Sequence, residues 1–399
     1  MGAHVALLAE LGVSSIGNDA SAVQVIRLLE DRVGGVEITI LSREPVGAAT
    51  TFGRSTLDAR ARWSYHGPWQ DSGVAKGVRL MLDLGYLVRL AGRFDAIVVP
   101  GTGALEAGQG GLPRGTLLSL LVAGVAARVR AVPYVWLAIG GSRYTRAITR
   151  WAVRAAASTA TVRSYRDRET REAVGATGTD ISDDVLMEDV VTARADVPLG
   201  ASEDDREVVV VSVIDVPSAR GGARATGEEH NRYEQEMARF LARLLDRGEQ
   251  VRMVVSDAAD VAVAQRVVRE VTGAGSPGVV EIRVPHDFEE LLHDLAGVRA
   301  VVGSRFHILV AAALNRVPFV TVEHADKVRV LSDDVGVGAY RVHAHGFRCD
   351  ELLEAYDSLV GKRDALTRDL DTWAHGARDR ALRGVDEVLA RLERTGAIS

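Results

Sequence analysis

The sequence is poor in the features that mark disulfide-rich, membrane-spanning and nucleic-acid-binding proteins. Among its 399 residues there is one cysteine, Cys349, so neither an intrachain disulfide nor a site with several cysteine ligands can form. No run of about eighteen apolar residues is present, and we therefore expect no membrane-spanning helix. The formal net charge of −6 lacks the basic excess that is typical of nucleic-acid-binding proteins.

The remaining composition is that of a globular protein, with 47% hydrophobic and 26% charged residues. The length is sufficient for two domains with separate cores. The apolar residues 1–8 lack a basic leader and a clear cleavage site, so we interpret them as a buried strand rather than a signal peptide. Together with the single cysteine, this predicts a cytoplasmic protein. The abundance of arginine and alanine indicates a bacterial source.

Short apolar strands alternate with helical patterns along nearly the whole chain. Residues 4–9, 20–32 and 36–41 read as a βαβ unit, which implies parallel strands joined by right-handed crossovers. The predicted fold is α/β, with two Rossmann-like doubly wound parallel-sheet domains that face a cleft. The predicted bounds are 1–200 for the first domain, 207–349 for the second and 350–399 for two terminal helices.

Two segments interrupt the alternation. Residues 195–205 combine proline, glycine and a run of charge, as an interdomain linker does. Residues 43–73 show no period, and we predict a long irregular loop there. Its aromatic side chains would either stack on a planar ligand or pin the loop to its domain. They are Trp63, Tyr65, His66 and Trp69.

The clearest functional signal is the stretch 301–320. It reads as a strand, a Gly-Ser turn, an amphipathic helix and a second strand opened by Pro318. We predict that Ser304 caps the helix and that Arg305 and His307 fall in its first turn. An anion there would meet backbone N–H groups, the positive end of the helix dipole and a guanidinium. The structural alternatives are an ion pair of Arg305 with a carboxylate across the domain cleft and a hydrogen-bonded helix residue at His307.

Two loops in the first half follow predicted strands and are candidates for contact with a second ligand. The carboxyl ends of parallel strands are where open α/β sheets bind ligands, and glycine allows a close approach of the backbone. Neither loop carries a GxGxxG fingerprint, so a dinucleotide is not favoured. The candidate residues are Ser15, Asn18, Asp19, Gly101, Thr102 and Gly103.

Taken together, these motifs resemble the polysaccharide pyruvyl transferase family, over about residues 1–345. The C-terminal element is Gly303-Ser304-Arg305-Phe306-His307, followed by the helix, Val317-Pro318 and Lys327. A mid-chain element consists of Val162-Arg163-Ser164, Arg166-Asp167, Thr170 and Asp183, in which we also predict that Asp167 caps a helix. A glycine-rich element is Val99-Pro100-Gly101-Thr102-Gly103.

The resemblance implies a GT-B-like transferase that moves a pyruvyl group from phosphoenolpyruvate onto two hydroxyls of a sugar or glycosylated intermediate. Such ketals belong to surface polysaccharide or natural-product biosynthesis. The implied catalytic residues are Arg305 and His307. The second domain would bind the donor, and the glycine-containing loops of the first domain would bind the acceptor. The predicted donor-binding set is Ser304, Arg305, His307, Lys327 and His324.

The expected partners are therefore a small-molecule donor and a sugar-containing acceptor, without nucleic acid, and a homo-oligomer is allowed. The resemblance implies phosphoenolpyruvate as a donor substrate, and we expect no required cofactor. The ten histidines show no metal-ligand spacing, with His343 and His345 as the only close pair.

Several positions depart from the family pattern. The segment Ser15-Ile16-Gly17-Asn18-Asp19 has an altered order, and Glu323-His324 replaces an aromatic residue before Lys327. Asp215 stands where an arginine is usual, while Arg220 and Arg224 come only later. Two alternatives stay open for these reasons. One is a GT-B transferase with another donor, such as a nucleotide-sugar glycosyltransferase or a natural-product tailoring enzyme, and the other is a non-catalytic ligand-binding protein.

Overall fold

The computed structural model describes residues 2–9, 11, 16–61, 73–101, 103–106, 115–175, 180, 207–216, 227–273 and 280–398, with backbone only at 73–76 and 227–230. Within-chain contacts divide the protein into two compact units. The first comprises Met1–Val13, Asn18–Val190 and Asp379–Ser399, and the second comprises Ser14–Gly17 and Val191–Arg378.

The first unit contains a six-stranded parallel sheet in the order β3-β2-β1-β4-β5-β6. Chain order reverses between β1 and β4, which makes this pair the topological switch point. Most of these strands are buried on both faces, which is why they are continuous apolar runs in the sequence. The strands are β1 (His4–Leu8), β2 (Glu37–Ser42), β3 (Thr56–Asp58), β4 (Ala96–Val99), β5 (Tyr134–Ile139) and β6 (Val162–Tyr165).

Helices cover both faces of this sheet. One core lies under α1 (Ile16–Arg32) and α2 (Pro45–Phe52), and it includes Ala96 and Val98 of β4. The opposite core includes Ile97 and Val99, because successive strand residues point to opposite faces. The helices on that side are α3 (Gly73–Ala91), α4 (Gly115–Val129) and α5 (Ala147–Thr159), and α6 (Arg168–Val174) follows β6.

The second unit repeats the design with the parallel order β12-β11-β10-β7-β8-β9, so its switch point lies between β7 and β10. Its strands are β7 (Val208–Val211), β8 (Gln250–Val254), β9 (Glu281–Arg283), β10 (Ala300–Gly303), β11 (Phe319–Glu323) and β12 (Arg341–His343). The remaining helices are α7 (Gly227–Asp246), α8 (Ala258–Gly273), α9 (Phe288–Leu295), α10 (Phe306–Leu314), α11 (Asp326–Asp334), α12 (Cys349–Val360) and α13 (Arg363–Arg394).

The α/β prediction of two Rossmann-like doubly wound sheets is confirmed. The two helices predicted after residue 350 are α12 and α13, and the end of α13 contributes Val385 and Leu392 to a core of the first unit. The residues 379–399 therefore group with the first unit rather than standing apart. In the described part of the chain, no helix combines the length and apolar character needed to cross a bilayer.

The prediction of an irregular segment at 43–73 is wrong in its first part, where α2 and β3 form. Pro45 occupies the start of α2, and Gly53 ends the helix with φ 60°. Proline suits the first helical turn and glycine suits this left-handed conformation. The helix spans 8 residues and β3 spans 3, too few for either period to appear in the sequence. The four aromatic residues of the predicted loop, and the predicted linker 195–205, lie outside the described residues.

Candidate functional site

The residues predicted to hold the donor lie at the C-terminal edge of the second sheet. Ser304 and Arg305 follow β10, which pairs with β7 and β11 at the switch point. His324 follows β11, and Lys327 lies in the first turn of α11. Lys327 Nζ is 5.9 Å from the ring centroid of Phe306, beside the start of α10. The fold thus brings the predicted donor set to the edge where open α/β sheets bind ligands.

Ser304 does not cap α10, so this part of the prediction is wrong. The N-cap residue is Arg305, with φ −79° and ψ 128°, and its side chain makes no capping hydrogen bond. Ser304 is fully buried, and its Oγ lies 3.3 Å from the Tyr233 hydroxyl. The Ser304 side chain turns into the core, one residue before the helix, and satisfies a buried phenol instead.

Tyr233 ties the ends of two strands together from α7. Its hydroxyl accepts a hydrogen bond from the Ile214 N–H at 3.2 Å and contacts Ser304 at the end of β10. Burial raises the pKa of Tyr233 to about 12, although the hydrogen bonds to Ser304 and Ile214 act in the opposite direction. The phenol therefore remains neutral and holds the segments after β7 and β10 by hydrogen bonds at the switch point.

Arg305 makes a bidentate ion pair with Asp260 of α8. The distances are 2.5 Å from Nε to Oδ2 and 2.6 Å from Nη2 to Oδ1, and Asp257 Oδ2 lies 3.5 Å from Nη2. The Asp260 side chain is fully buried, whereas Arg305 keeps 20% exposure. Burial raises the pKa of Asp260, and the bound guanidinium opposes this change. Arg305 is therefore in an ion pair, but its partner belongs to the same unit and not, as the alternative had it, to the other side of a domain cleft.

Asp260 also fixes the loop after β7. Its Oδ1 accepts a hydrogen bond from the Asp215 N–H at 2.7 Å. The Glu234 carboxylate accepts hydrogen bonds from the Arg266 guanidinium and is the main cause of the raised pKa of Arg266, and the charge of nearby Asp215 raises this pKa further. The positive charge of Arg305 is thus balanced by nearby carboxylates, and an anion here needs further positive groups.

His307 is the exception on a helix that is otherwise completely buried. Every other residue of α10 is buried, whereas His307 is half-buried and contacts the Phe306 ring edge-on at 5.1 Å between centroids. Gly17, which groups with the same unit, lies against the imidazole, because a Cβ atom at position 17 would overlap the His307 ring. The His307 imidazole can therefore occupy its observed position only because residue 17 has no side chain.

Glu323, the last residue of β11, pairs with the neighbouring strand β12. The Glu323 carboxylate is 11% exposed and lies 3.0 Å from Arg341, while His343 Nδ1 lies 3.9 Å away. The charge of this carboxylate is therefore already matched by a guanidinium. His324 itself is half-buried in the loop after β11.

One buried hydroxyl near the switch point also bears on ligand binding. Ser212 follows β7 and is fully buried, and its N–H donates to the Val302 carbonyl at 2.8 Å. Its Oγ makes no hydrogen bond within the described residues. Buried polar groups are nearly always paired in proteins, so this hydroxyl is a group that a ligand could satisfy.

The candidate acceptor-binding residues of the first unit follow β1 and β4, the two strands at the switch point of the first sheet. Asn18 and Asp19 lie in the first turn of α1, after β1, and Gly101 is buried directly after β4. A Cβ atom at Gly103 would lie 2.6 Å from Glu106 Oε1, so the backbone passes close to that carboxylate. Their acceptor role stays a prediction. Ser15 and Thr102 lie outside the described residues.

The mid-chain element of the first unit is a structural network. The Asp167 carboxylate accepts a hydrogen bond from the Thr170 N–H at 2.8 Å, which confirms the predicted cap. Thr170 Oγ1 in turn accepts from the Gly141 N–H at 2.9 Å, and Arg166 pairs with Asp167 at 2.9 Å. These contacts hold together the loops after β5 and β6. Asp183 lies outside the described residues.

Asp260, Tyr233 and Gly17 were missed by reasoning from sequence. Asp260 resembles an ordinary acidic residue in the first turn of a helix, and Tyr233 falls on the apolar face of α7. Asp260 and Tyr233 stand out as partners of the 301–320 stretch only once the structure shows that both are buried. The described residues also contain no cluster of three or more His, Cys, Asp or Glu side chains suited to a metal ion.

Two doubly wound parallel-sheet units with candidate residues at their switch points define a GT-B-like protein. The family model for polysaccharide pyruvyl transferase matches residues 16–326, most of the chain. The chain therefore belongs to the polysaccharide pyruvyl transferase family and is a transferase.

Solved structures with the same fold cover almost the whole chain. One is a putative UDP-N-acetylglucosamine 2-epimerase from Listeria monocytogenes, with a TM-score of 0.62 and 11% identity over 99% of this chain and 98% of that one. A second is the UDP-GlcNAc 2-epimerase from Neisseria meningitidis bound to UDP-GlcNAc, with a TM-score of 0.61 and 10% identity over 97% of this chain and 100% of that one. A third is MurG from Acinetobacter baumannii, with a TM-score of 0.57 and 13% identity over 98% of this chain and 99% of that one. A comparison with curated protein sequences gives no significant match.

Proposed function

We propose that the protein transfers the pyruvyl group of phosphoenolpyruvate to two hydroxyls of a sugar-containing acceptor, forming a cyclic ketal and releasing phosphate. The observation that carries this proposal is the Arg305-Phe306-His307 block at the N-terminus of a buried helix, at a switch point, in a chain of this family. His307 is the one side chain of that helix that reaches solvent.

Donor binding would rest on several groups rather than on Arg305 alone. Phosphoenolpyruvate carries a phosphate and a carboxylate, and the first N–H groups of α10 lack intrahelical acceptors. His307 and Lys327 add donors beside this helix start, and Ser212 adds a buried hydroxyl. Together these groups supply the attraction that the carboxylates around Arg305 would otherwise cancel.

Arg305 would act from a fixed position. A guanidinium has five N–H donors, of which Asp260 accepts two. The remaining donors can point to a bound anion without any rearrangement of the side chain. A preorganised donor of this kind stabilises developing charge better than a mobile one.

The chemistry needs one proton at carbon and one leaving phosphate. Protonation of the donor methylene gives a methyl group and positive charge at C2, which the first acceptor hydroxyl attacks. Phosphate then leaves C2, and the second hydroxyl closes the ketal. One hydroxyl proton balances the proton delivered to carbon, and the other leaves with phosphate. We assign the proton transfer at carbon to His307, since imidazole exchanges protons near neutral pH.

The test combines binding and turnover. Phosphoenolpyruvate at millimolar concentration should raise the melting temperature of the full chain, and phosphate should be released only when an acceptor from a panel of UDP-sugars and simple glycosides is present. His307→Ala should abolish phosphate release, and Lys327→Ala should weaken the thermal shift. The absence of any thermal shift in the wild-type protein would refute the donor assignment.

A nucleotide-sugar donor is the second candidate function. The carboxylates of Asp257 and Asp260 beside Arg305 disfavour a small, highly charged donor, and the structurally similar Neisseria protein is bound to UDP-GlcNAc. Thermal stabilisation by a UDP-sugar but not by phosphoenolpyruvate would favour this reading. A ligand that binds tightly without turnover would instead indicate a binding protein.

A further inference from the structure

The orientation of α5 in the first unit is unusual for a helix that covers a sheet. Its buried side is made of small residues, which are Thr149, Ala152, Val153, Ala156 and Ala157. Its two largest apolar side chains point outward instead, with Ile148 58% exposed and Trp151 67% exposed. The hydrophobic effect would normally place these side chains inside, so their exposure indicates a surface that something covers.

The same surface carries one sign of charge. Residues 107–166 contain nine arginines and no aspartate, glutamate or lysine, although the whole chain has a net charge of −6. Two of the nine, Arg163 and Arg166, are largely buried in ion pairs with Asp180 and Asp167 and do not contribute to this surface. Arg146, Arg150 and Arg154 recur at four-residue intervals, so they form a row along α5, and all three are exposed. Trp151 lies beside this row, and Ile148, one turn before it, continues the exposed face on the far side of Trp151.

Two acidic groups close to α5 form ion pairs with arginines outside this row. Glu169, at the start of α6, pairs with Arg143 at 3.1 Å, in the turn before α5. Glu172 pairs with Arg168 at 2.7 Å. The row itself is partly oriented by the fold, since Arg150 Nη1 donates to the Tyr144 carbonyl at 3.3 Å.

We propose that the outer face of α5, defined by Arg146, Ile148, Arg150, Trp151 and Arg154, docks on an anionic lipid bilayer. Tryptophan favours the boundary between headgroups and acyl chains, and arginine pairs with phosphate while its stem lies on apolar surface. Apolar anchors beside a row of cations are the pattern of helices that lie in a membrane interface.

Two further observations favour a bilayer. The basic segment lies on a chain of negative net charge, so the field of an anionic surface attracts this face and repels the rest, which orients the protein. The neighbouring helices on the same side also expose apolar side chains, with Met81 of α3 70% exposed and Leu118 of α4 39% exposed. The partner predicted by this chemistry is a lipid surface, and the proposal is independent of the donor that the enzyme uses.

The experiment is sedimentation of the full chain with large vesicles made of phosphatidylcholine alone or with about one-third phosphatidylglycerol. We expect binding to the anionic vesicles only, weakened by salt. Arg146→Gln with Arg154→Gln should lower the partition coefficient about 25-fold, since each cation near the surface contributes about fivefold. Ile148→Ser with Trp151→Ser should lower it at least tenfold.

Matched controls lie in the same unit. Val46→Ser removes an apolar side chain that is 80% exposed on α2, and Arg93→Glu reverses an exposed charge after α3. Both should bind vesicles like the wild type. Circular dichroism and thermal melts of each variant establish that it is folded.

Four outcomes would overturn the proposal. The first is no binding to anionic vesicles at physiological salt, and the second is equal loss in the α5 variants and the controls. The third is a wild-type dimer in solution that Ile148→Ser with Trp151→Ser converts to a monomer, which would make the face a protein interface. The fourth is competition by a short oligonucleotide at lower concentration than lipid, which would identify nucleic acid as the partner.

Discussion

Removal of Arg305 should destabilise the second unit far more than removal of an exposed arginine. In Arg305→Met, the fully buried Asp260 carboxylate keeps the Asp215 N–H but loses its counter-charge. Breaking a buried ion pair in this way costs about 3–5 kcal/mol. For a unit of about 190 residues, each kcal/mol lowers the melting temperature by about 2–4 °C. The expected decrease is therefore roughly 6–20 °C.

The opposite single change should be milder. In Asp260→Leu, the Arg305 guanidinium remains 20% exposed and has Asp257 within 3.5 Å, so water and a second carboxylate can satisfy it. We expect a cost of about 1–3 kcal/mol. The double variant, Arg305→Met with Asp260→Leu, replaces the pair by apolar groups but leaves the Asp215 N–H without its acceptor, so it should cost about 1–3 kcal/mol, less than Arg305→Met alone.

The assay is urea unfolding of the four proteins in a double-mutant cycle, with thermal melts in parallel. Arg247→Met is the matched control, because Arg247 and Asp357 are equally close at 2.7 Å but are 40% and 53% exposed. That pair should contribute at most about 1 kcal/mol. Additive effects of the two core substitutions, or an Arg305→Met cost no larger than that of Arg247→Met, would refute the reasoning. The double variant should also lack phosphate release if Arg305 contacts the donor.

Three further substitutions test contacts around the two sites. Gly17→Ala should lower kcat at least tenfold with little change in melting temperature, because the added methyl displaces the His307 imidazole; unchanged kcat would refute this role. Tyr233→Phe should cost about 1–3 kcal/mol in urea unfolding, since the Ile214 N–H loses its acceptor, and a cost below about 0.5 kcal/mol would contradict it. Asp167→Ala should cost at least about 1 kcal/mol, since both the cap and the ion pair with Arg166 are lost, and Asp167→Asn, which can keep the cap but not the charge beside Arg166, should cost less.

The sheets were predictable because buried parallel strands are continuous apolar runs. The predicted strands 4–9 and 36–41 correspond to β1 (His4–Leu8) and β2 (Glu37–Ser42), and the predicted strand–turn–helix of 301–320 corresponds to β10 and α10. The prediction missed α2 and β3, because these elements are too short to show either the helical or the strand period of hydrophobic residues.

The sequence predicts where the candidate site lies, but it does not predict which side chains pair with Arg305 and Ser304. The Arg-x-His pattern marks the start of α10, yet nothing near it indicates that Arg305 binds a carboxylate 45 positions earlier. Likewise, a serine before a helix usually caps it, and the buried Tyr233 hydroxyl overrides that local preference. Both outcomes depend on tertiary contacts between distant parts of the chain, which a single sequence does not reveal.

The most direct test of the central claim follows the donor carbon itself. Phosphoenolpyruvate labelled with ¹³C at C2 is incubated in D₂O with the full chain and the acceptor panel and followed by NMR. The account predicts that the label moves from a vinyl carbon to a quaternary ketal carbon whose methyl group carries one deuterium, with one phosphate released per transfer and no transfer by His307→Ala. Persistence of the vinyl signal while a UDP-sugar is consumed would contradict it.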